Sequence, residues 1–169
     1  MNIQLILVTI SLVILTAYTI LMCVNNHQVP DSLSASVFFL PRPGAWLWTA
    51  VIASVVFTLA PVIISTAREG FQFLAFLACA GLLFVAGCPL VKDKGDMAYR
   101  VHCASAVVCA VSAMTLVALS CPWLMLGWLP WLAMFLWLTR RHRDWRTQIF
   151  WAEMTCFLIT YAYVYIRIL

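Results

Sequence analysis

Two ionisable side chains, Glu153 and His102, lie within apolar stretches of this chain and are its first candidates for chemistry. Glu153 comes five residues after Gln148, which is roughly 7 Å of rise along a helix. An ionisable group inside a membrane is costly unless it has a partner. We therefore expect His102 to pair with Glu153, although Arg100 or Arg146 could neutralise the carboxylate instead. Such a pair would be a structural clamp, a proton-handling pair or half of a ligand site.

A stripe of small and polar residues begins at His102. Spacings of three, four and three residues place its members on one face of a helix: His102, Ser105, Cys109 and Ser112, with Ala106, Ala110 and Ala113 beside them. Helices in membranes make contact through such small and hydroxyl-bearing residues, because lipid provides no hydrophobic drive for helices to associate. The stripe predicts helix packing first. The alternative is the lining of a polar cavity, with Ser105 and Cys109 as candidate ligand-binding residues.

The longest connection, residues 25–44, has a pattern of its own. Pro30 and Asp31 are typical of the first turn of a helix. The residues that would share one face of that helix are Val29, Leu33, Val37 and Leu40. This pattern predicts a short interfacial helix that lies on the membrane and stops before Pro41. The segment is expected to be a spacer, with a lid over His102 and Glu153 as the alternative.

Six apolar stretches, each long enough to cross a bilayer, must position these residues. Apolar residues make up 65% of the chain and charged residues 9%, whereas soluble domains are typically about half apolar and a quarter charged. The stretches cover approximately residues 3–24, 45–64, 71–91, 101–121, 122–138 and 149–166. The predicted fold class is therefore all-α, with one domain of six transmembrane helices and loops too short for a soluble domain. We expect the first stretch to be a retained helix, because it lacks the positive start of a signal peptide.

Basic residues are distributed unevenly among the loops, which predicts an orientation. Eight of the ten lie in the first, third and fifth loops: Arg42, Lys92, Lys94, Arg100, Arg140, Arg141, Arg143 and Arg146. The other two are Arg68 and Arg167. The odd-numbered loops are therefore expected in the cytoplasm and both termini outside, in the cell inner membrane. Tyrosines and tryptophans near the ends of spans are expected to form interfacial belts: Tyr161, Tyr163, Tyr165, Trp46 and Trp48.

The sequence lacks the motifs that are typical of several classes of enzyme. The seven cysteines form no C-x-x-C pair, and a cysteine within a span acts as a small apolar residue. A zinc site needs three or four converging ligands, but the residues on the predicted cytoplasmic face show no paired-ligand spacing: His27, Asp31, His102, His142 and Glu153. No G-x-S-x-G motif marks a nucleophilic serine. We assign no catalytic residue, no metal ligand and no cofactor.

Four segments carry a resemblance to known membrane proteins: VPDSLSASVFFL (29–40), FLACAGLLFVAGCP (76–89), VHCASA (101–106) and WAE (151–153). Together they resemble a group of uncharacterised six-span proteins from gut Bacteroidetes and their phages. More distantly, the serine-bearing first loop and His102 resemble the Frag1/DRAM/Sfk1 and DUF998 membrane proteins. The resemblance implies six helices in a bacterial membrane and directs attention to Ser32, Ser34, Gly87, Pro89, His102 and Glu153. The DRAM-like group implies the opposite orientation of the first and third loops.

The sequence favours a non-enzymatic membrane protein that binds a lipid, a small ligand or a membrane partner protein in a polar cavity on the cytoplasmic side. The candidate ligand-binding or proton-handling residues are His102, Glu153, Ser105, Cys109, Asp31, Ser32 and Ser34. Two alternatives stay open. One is a proton-coupled transporter that uses His102 and Glu153, and the other is an intramembrane metal-dependent hydrolase. Nucleic acid is not an expected partner, because the basic residues lie beside apolar spans and match lipid headgroups.

Overall fold

The computed structural model describes residues 2–40, 45–88, 96–140 and 146–169 of the chain. The regular structure in these ranges is helical, in agreement with the all-α prediction. The α-helices are α1 (Ile3–Asn26), α2 (Ala45–Thr66), α3 (Gln72–Gly87), α4 (Met97–Ser120), α5 (Leu129–Arg140) and α6 (Gln148–Ile168). Two 3₁₀ helices complete the set: the loop helix (Ser34–Phe39) and the turn helix (Pro122–Trp128).

Five helical segments are long and apolar enough to cross a membrane, and they indicate an integral membrane protein. They are Ile3–Asn26, Trp46–Thr66, Met97–Ser120, Pro122–Arg140 and Gln148–Ile168. The helix α3 is equally apolar, but it has only 16 residues, or about 24 Å of rise against about 30 Å of hydrocarbon. The predicted third span extended to residue 91, and its last three residues lie outside the described ranges. Within the described ranges, five spans are therefore found where six were predicted.

The helices α3 and α4 make the most extensive contact in the bundle, and a glycine sets its distance. A Cβ atom at Gly81 would lie 2.8 Å from the carbonyl oxygen of Ser105 and 2.9 Å from the backbone nitrogen of Cys109. Real Cβ atoms essentially never come so near to backbone. Because glycine lacks that atom, the two helix backbones can touch, as small residues allow in membrane helices.

The predicted aromatic belts are only partly right. Trp46 is 77% exposed, as an interfacial residue would be, but Trp48, Tyr161 and Tyr163 are buried. The Tyr161 hydroxyl lies 2.6 Å from the Ser11 hydroxyl, so it points into the bundle. These rings therefore belong to the protein core, and there Tyr161 finds a polar partner that lipid does not offer.

Pro122 follows the end of α4, at the boundary between the predicted fourth and fifth spans. The chain turns at Cys121, which caps α4, and continues directly into the turn helix. Regular α-helix resumes only at Leu129, so the span predicted over residues 122–138 begins as a 3₁₀ helix. The helix α5 has no buried residue, which places it at the edge of the bundle.

The described part of the loop after α1 packs into the bundle, and the predicted interfacial helix is not confirmed. Its helical part covers only Ser34–Phe39, whereas the prediction covered residues 29–40. Two members of the predicted apolar face, Leu33 and Val37, are buried, and Val29 and Leu40 pack against the same core. The pattern was therefore interpreted correctly as one apolar face, but that face covers protein and not lipid.

Candidate functional site

Glu153 reaches across the bundle to the segment before the loop helix. Its Oε2 accepts a hydrogen bond of 2.5 Å from the backbone N–H of Leu33. One turn earlier on α6, the N–H of Phe150 donates to the carbonyl oxygen of Asp31 at 3.2 Å. Two residues of the loop, Asp31 and Leu33, are thus fixed to the first two turns of α6. The lid alternative for this loop agrees with the geometry better than the spacer.

Further hydrogen bonds hold the loop helix against α1. The hydroxyls of Tyr18 and Ser36 lie 2.7 Å apart, and Ser36 also donates to the carbonyl oxygen of Leu33 at 2.6 Å. Ser32 accepts from the N–H of Ala35 at 3.0 Å and so begins the turn. The position of Leu33, and with it the N–H that Glu153 binds, is therefore fixed from two sides.

Glu153 lines two cavities, one on each side of the contact between α4 and α6. The first, which we call the aliphatic cavity, has a volume of about 90 Å³ and lies among α2, α3, α4, α6 and the loop helix. The walls are mostly aliphatic, for example Ile52, Leu59 and Leu82. Glu153 is its single carboxylate among the described residues. The polar cavity predicted from the sequence is therefore an apolar one with a carboxylate in its wall.

The second cavity, which we call the aromatic cavity, lies among α4, the turn helix, α5 and α6. Its volume is about 450 Å³, and Trp128, Trp131 and Phe135 provide its aromatic wall. Ala110, Glu153 and Cys156 belong to both cavities. The carboxylate of Glu153 is thus placed where a molecule in either cavity could meet it.

The aromatic wall is held in place by its own hydrogen bonds. The indole N–H of Trp131 donates to the backbone carbonyl of Gln148 at 3.2 Å. The indole N–H of Trp128 donates to the sulfur of Met114 at 3.3 Å. The rings of Trp128 and Trp131 meet edge to face at 5.5 Å, and those of Trp131 and Phe135 stack at 5.3 Å. The wall is therefore preorganised, with both indole donors already used.

Each cavity also has a buried polar group without a hydrogen-bond partner among the described residues. In the aliphatic cavity it is the indole Nε1 of Trp48, whose side chain is 1% exposed. In the aromatic cavity both amide atoms of Gln148, which is 6% exposed, lack a partner. Leaving a buried polar group unsatisfied costs about 1–3 kcal/mol, so such groups are informative about function.

His102 does not pair with Glu153, and this part of the prediction is wrong. The Nδ1 atom of His102 lies 2.6 Å from the carbonyl oxygen of Cys88, the residue that caps α3. His102 is 3% exposed and lines neither cavity. The pairing failed because each side chain has a nearer backbone partner: an unpaired carbonyl at the end of α3 for His102, and an unpaired N–H in the loop for Glu153.

The other predicted site residues divide into two groups. Ser34 and Cys109 join Glu153 in the wall of the aliphatic cavity. Asp31 is exposed, Ser32 caps its own turn and Ser105 lies at the contact with Gly81. The structure therefore brings three of the seven predicted residues together and leaves Asp31, Ser32, Ser105 and His102 outside both cavities.

Within the described ranges, no group of three or more His, Cys, Asp and Glu side chains is arranged so that it could hold a metal ion. His142, one of the residues weighed as a metal ligand, lies outside these ranges. No observation on the described residues therefore favours the metal-dependent hydrolase.

Sequence reasoning missed the aromatic cavity. The signals were present as a tryptophan-rich turn, with Trp123, Trp128 and Trp131 close together, and as Gln148 at the start of an apolar span. Gly81 was also missed, although a glycine within a helix costs about 1 kcal/mol relative to alanine and so suggests a packing reason. None of these signals indicates by itself which helices are in contact.

Comparisons of the chain with protein-family models, with curated proteins and with solved structures find no match. The resemblance to the six-span proteins consequently stays a prediction. The functional interpretation rests on the geometry of the two cavities alone.

Proposed function

We propose that this integral membrane protein binds a small amphiphilic ligand inside the helix bundle, beside Glu153, without a chemical reaction. The observation that carries the proposal is the position of Glu153 in the walls of both cavities. Ligand sites are typically concave and mostly apolar, with a few polar groups that orient the ligand. Both cavities have this composition.

The unpartnered polar groups support binding at the same place. An apolar filling would leave the Gln148 amide and the Trp48 indole N–H unsatisfied, at about 1–3 kcal/mol each. A ligand with one polar end could satisfy such a group and bury its apolar part against the surrounding rings and aliphatic side chains. The proposal therefore favours an amphiphile over a purely apolar molecule.

The test fills the space that both cavities share. Ala110 lines both, whereas Ala104 lies on an exposed face of α4 and lines neither. Ala110→Phe should exclude the ligand and Ala104→Phe should not. Native mass spectrometry of protein released from mild detergent reports the molecules that remain bound. We expect the same adduct on the wild type and on Ala104→Phe, and none on Ala110→Phe.

Two outcomes would contradict the proposal. One is an adduct that all three proteins carry equally, because it would show binding on the outer surface. The other is the absence of any adduct from the wild type in detergents that preserve bound lipid in other membrane proteins. Thermal unfolding of all three variants confirms that they are folded.

A second candidate function is a proton-coupled transporter. One observation favours it: the Glu153 side chain lines both cavities. His102 takes no part in this version, because it binds Cys88. In proteoliposomes, uptake driven by a proton gradient should be lost in Glu153→Gln and kept in His102→Gln. Uptake that survives Glu153→Gln would dismiss this candidate.

The orientation is part of the proposal. In this proposal the odd-numbered loops lie in the cytoplasm and both termini outside, which requires α3 to cross the membrane as a sixth span. Arg68 and Arg140 are exposed at opposite predicted faces, and cysteines substituted there in a background without the seven native ones test this. An impermeant thiol reagent applied from outside should label Arg68→Cys and spare Arg140→Cys. The reverse pattern would invert the topology.

A further inference from the structure

The aromatic cavity presents π systems to a ligand and no indole donor. Both indole N–H groups of its wall already have acceptors, in Gln148 and Met114. Three rings in contact, at 5.5 Å and 5.3 Å between centroids, form a surface of negative electrostatic potential at their faces. Such surfaces attract cations, and tryptophan is the most effective of the aromatic residues.

A carboxyl group stands beside this wall. Oε2 of Glu153 accepts from Leu33, and Oε1 is the second acceptor oxygen of the same group. Among the described residues, Glu153 is the single acidic side chain in the lining of the aromatic cavity. The side chain is partly exposed, and because it lies within the bundle, that exposure is toward the cavities. A positively charged group is therefore the complementary ligand, and an anion would be repelled.

Gln148 adds an acceptor in the same wall. Its amide is more than nine-tenths buried and both of its polar atoms lack a partner. An amino group in its protonated form carries N–H donors that can reach an amide oxygen and a carboxylate together. A neutral apolar molecule would leave both acceptors unpaired. The unpaired amide, the carboxylate and the rings thus all favour an ammonium group.

We propose that the aromatic cavity binds the protonated amino group of an amphiphilic amine, between the rings of Trp128 and Trp131, the Gln148 amide and Glu153. The inference rests on the proposed function and names its ligand class. The ammonium could belong to a free small amine or to the ethanolamine headgroup of a membrane lipid, which share this chemistry.

The probe for the test is phenethylammonium, and its control is the neutral isostere 2-phenylethanol. Calorimetric titration of the wild type in maltoside micelles, which contain no ammonium, should show the cation bound at least about tenfold more tightly, as charge-assisted hydrogen bonds require. Equal binding of the two probes, or no binding of the cation, would overturn the inference.

Three variants localise the effect. Glu153→Gln keeps an acceptor for Leu33 but removes the charge, so it should weaken cation binding about tenfold and leave 2-phenylethanol unchanged. Trp128→Leu removes one ring and should weaken cation binding about two- to thirtyfold. Trp123→Leu is its matched control, because Trp123 is on the same turn helix, 58% exposed and outside both cavities. Equal losses in the two tryptophan variants would refute the assignment to this cavity.

Added lipid separates the two sources. Phosphatidylethanolamine that competes with phenethylammonium, where phosphatidylglycerol does not, would assign the site to a lipid headgroup. No competition by either lipid would assign it to a free amine.

The proposed function and this inference can fail separately. If both probes bind equally and Ala110→Phe abolishes both, the ligand site stands and the ammonium specificity falls. If neither probe binds to the wild type, the inference falls, and the molecules that co-purify with the protein decide the function.

Discussion

The two sides of α4 are built from similar small residues and behave in opposite ways. Toward α3, the backbone at Ser105 and Cys109 lies so near Gly81 that a single Cβ atom does not fit. Toward α6 and α5, Ala110 and Glu153 line cavities of about 90 and 450 Å³. At Ser105 and Cys109, the closed side, the backbone of α4 leaves no room for a Cβ atom on Gly81, although Cys109 also borders the aliphatic cavity. Beside Ala110, the open side, there is room for a ligand.

The difference separates structural from functional roles within one helix. On the closed side, small residues let two backbones touch, and van der Waals contact and backbone geometry stabilise the pair. On the open side, small residues leave space, and polar groups such as the Gln148 amide stay unsatisfied. Natural proteins keep such locally unfavourable features mainly at functional sites. Substitutions that add atoms should therefore have opposite effects on the two sides.

The largest effect is expected at the closed side. Gly81→Ala places a Cβ atom at 2.8 Å from backbone and should reduce the free energy of unfolding by about 1–3 kcal/mol. Gly87, also on α3, is the matched control, because nothing lies within 4 Å of an added Cβ. Gly87→Ala should be neutral or stabilise by up to about 1 kcal/mol through helix propensity. Thermal unfolding in detergent measures both, and equal effects would show that the contact with α4 does not depend on glycine.

The next effect contrasts an unsatisfied polar group with a satisfied one. Gln148→Met removes an amide without a partner and should stabilise the ligand-free protein by about 1 kcal/mol. Ser11→Ala removes a hydroxyl that bonds the Val55 carbonyl and the Tyr161 hydroxyl, and should destabilise it by about the same amount. Denaturant unfolding of the two variants should give opposite signs. A loss of stability in Gln148→Met would mean that the amide has a partner in the folded protein.

A smaller gain is expected when the aliphatic cavity is filled. Ala113 is 4% exposed and lines this cavity from α4, one turn after Cys109. Ala113→Val adds two carbon atoms to empty space and should stabilise the protein by less than about 1 kcal/mol through dispersion contacts. Ala104→Val, on the exposed face of α4, should change little. A loss as large as that of Gly81→Ala would show that the open side is as tightly packed as the closed one.

The smallest effect is expected for the energetic coupling between His102 and Glu153, which should be close to zero. His102 bonds to Cys88 at the end of α3 and Glu153 bonds to Leu33 in the loop, so they share no partner. The losses of His102→Ala and Glu153→Ala should add within about 0.3–0.5 kcal/mol in the double variant. A stability measurement on all four proteins completes the cycle. A clearly sub-additive double variant would restore the ion pair that the sequence suggested.

The sequence was sufficient for the helical class and for most helix positions, because apolar length and the stop at Pro122 are local signals. It also identified Glu153, since a carboxylate within an apolar stretch needs a special environment. It did not distinguish the two sides of α4. Both consist of Ala, Ser and Cys at helical spacing, and which side meets a glycine and which a cavity depends on other helices.

The partner of Glu153 could not be predicted either, because it also depends on tertiary contacts. Its partner is a backbone N–H, at Leu33, and every residue except proline offers one. The loop itself was misplaced because an apolar face has the same sequence pattern whether it covers lipid or protein. Tertiary contacts alone decide between these two.

The most direct test of a ligand site on the open side of α4 is a crystal structure grown from a lipidic mesophase with phenethylammonium. We expect density for the probe in the aromatic cavity, with its nitrogen within hydrogen-bond distance of the Gln148 amide oxygen and Oε1 of Glu153, and no such density in Ala110→Phe. A cavity closed by the rings of Trp128 and Trp131, with the Gln148 amide bonded to protein, would contradict the site.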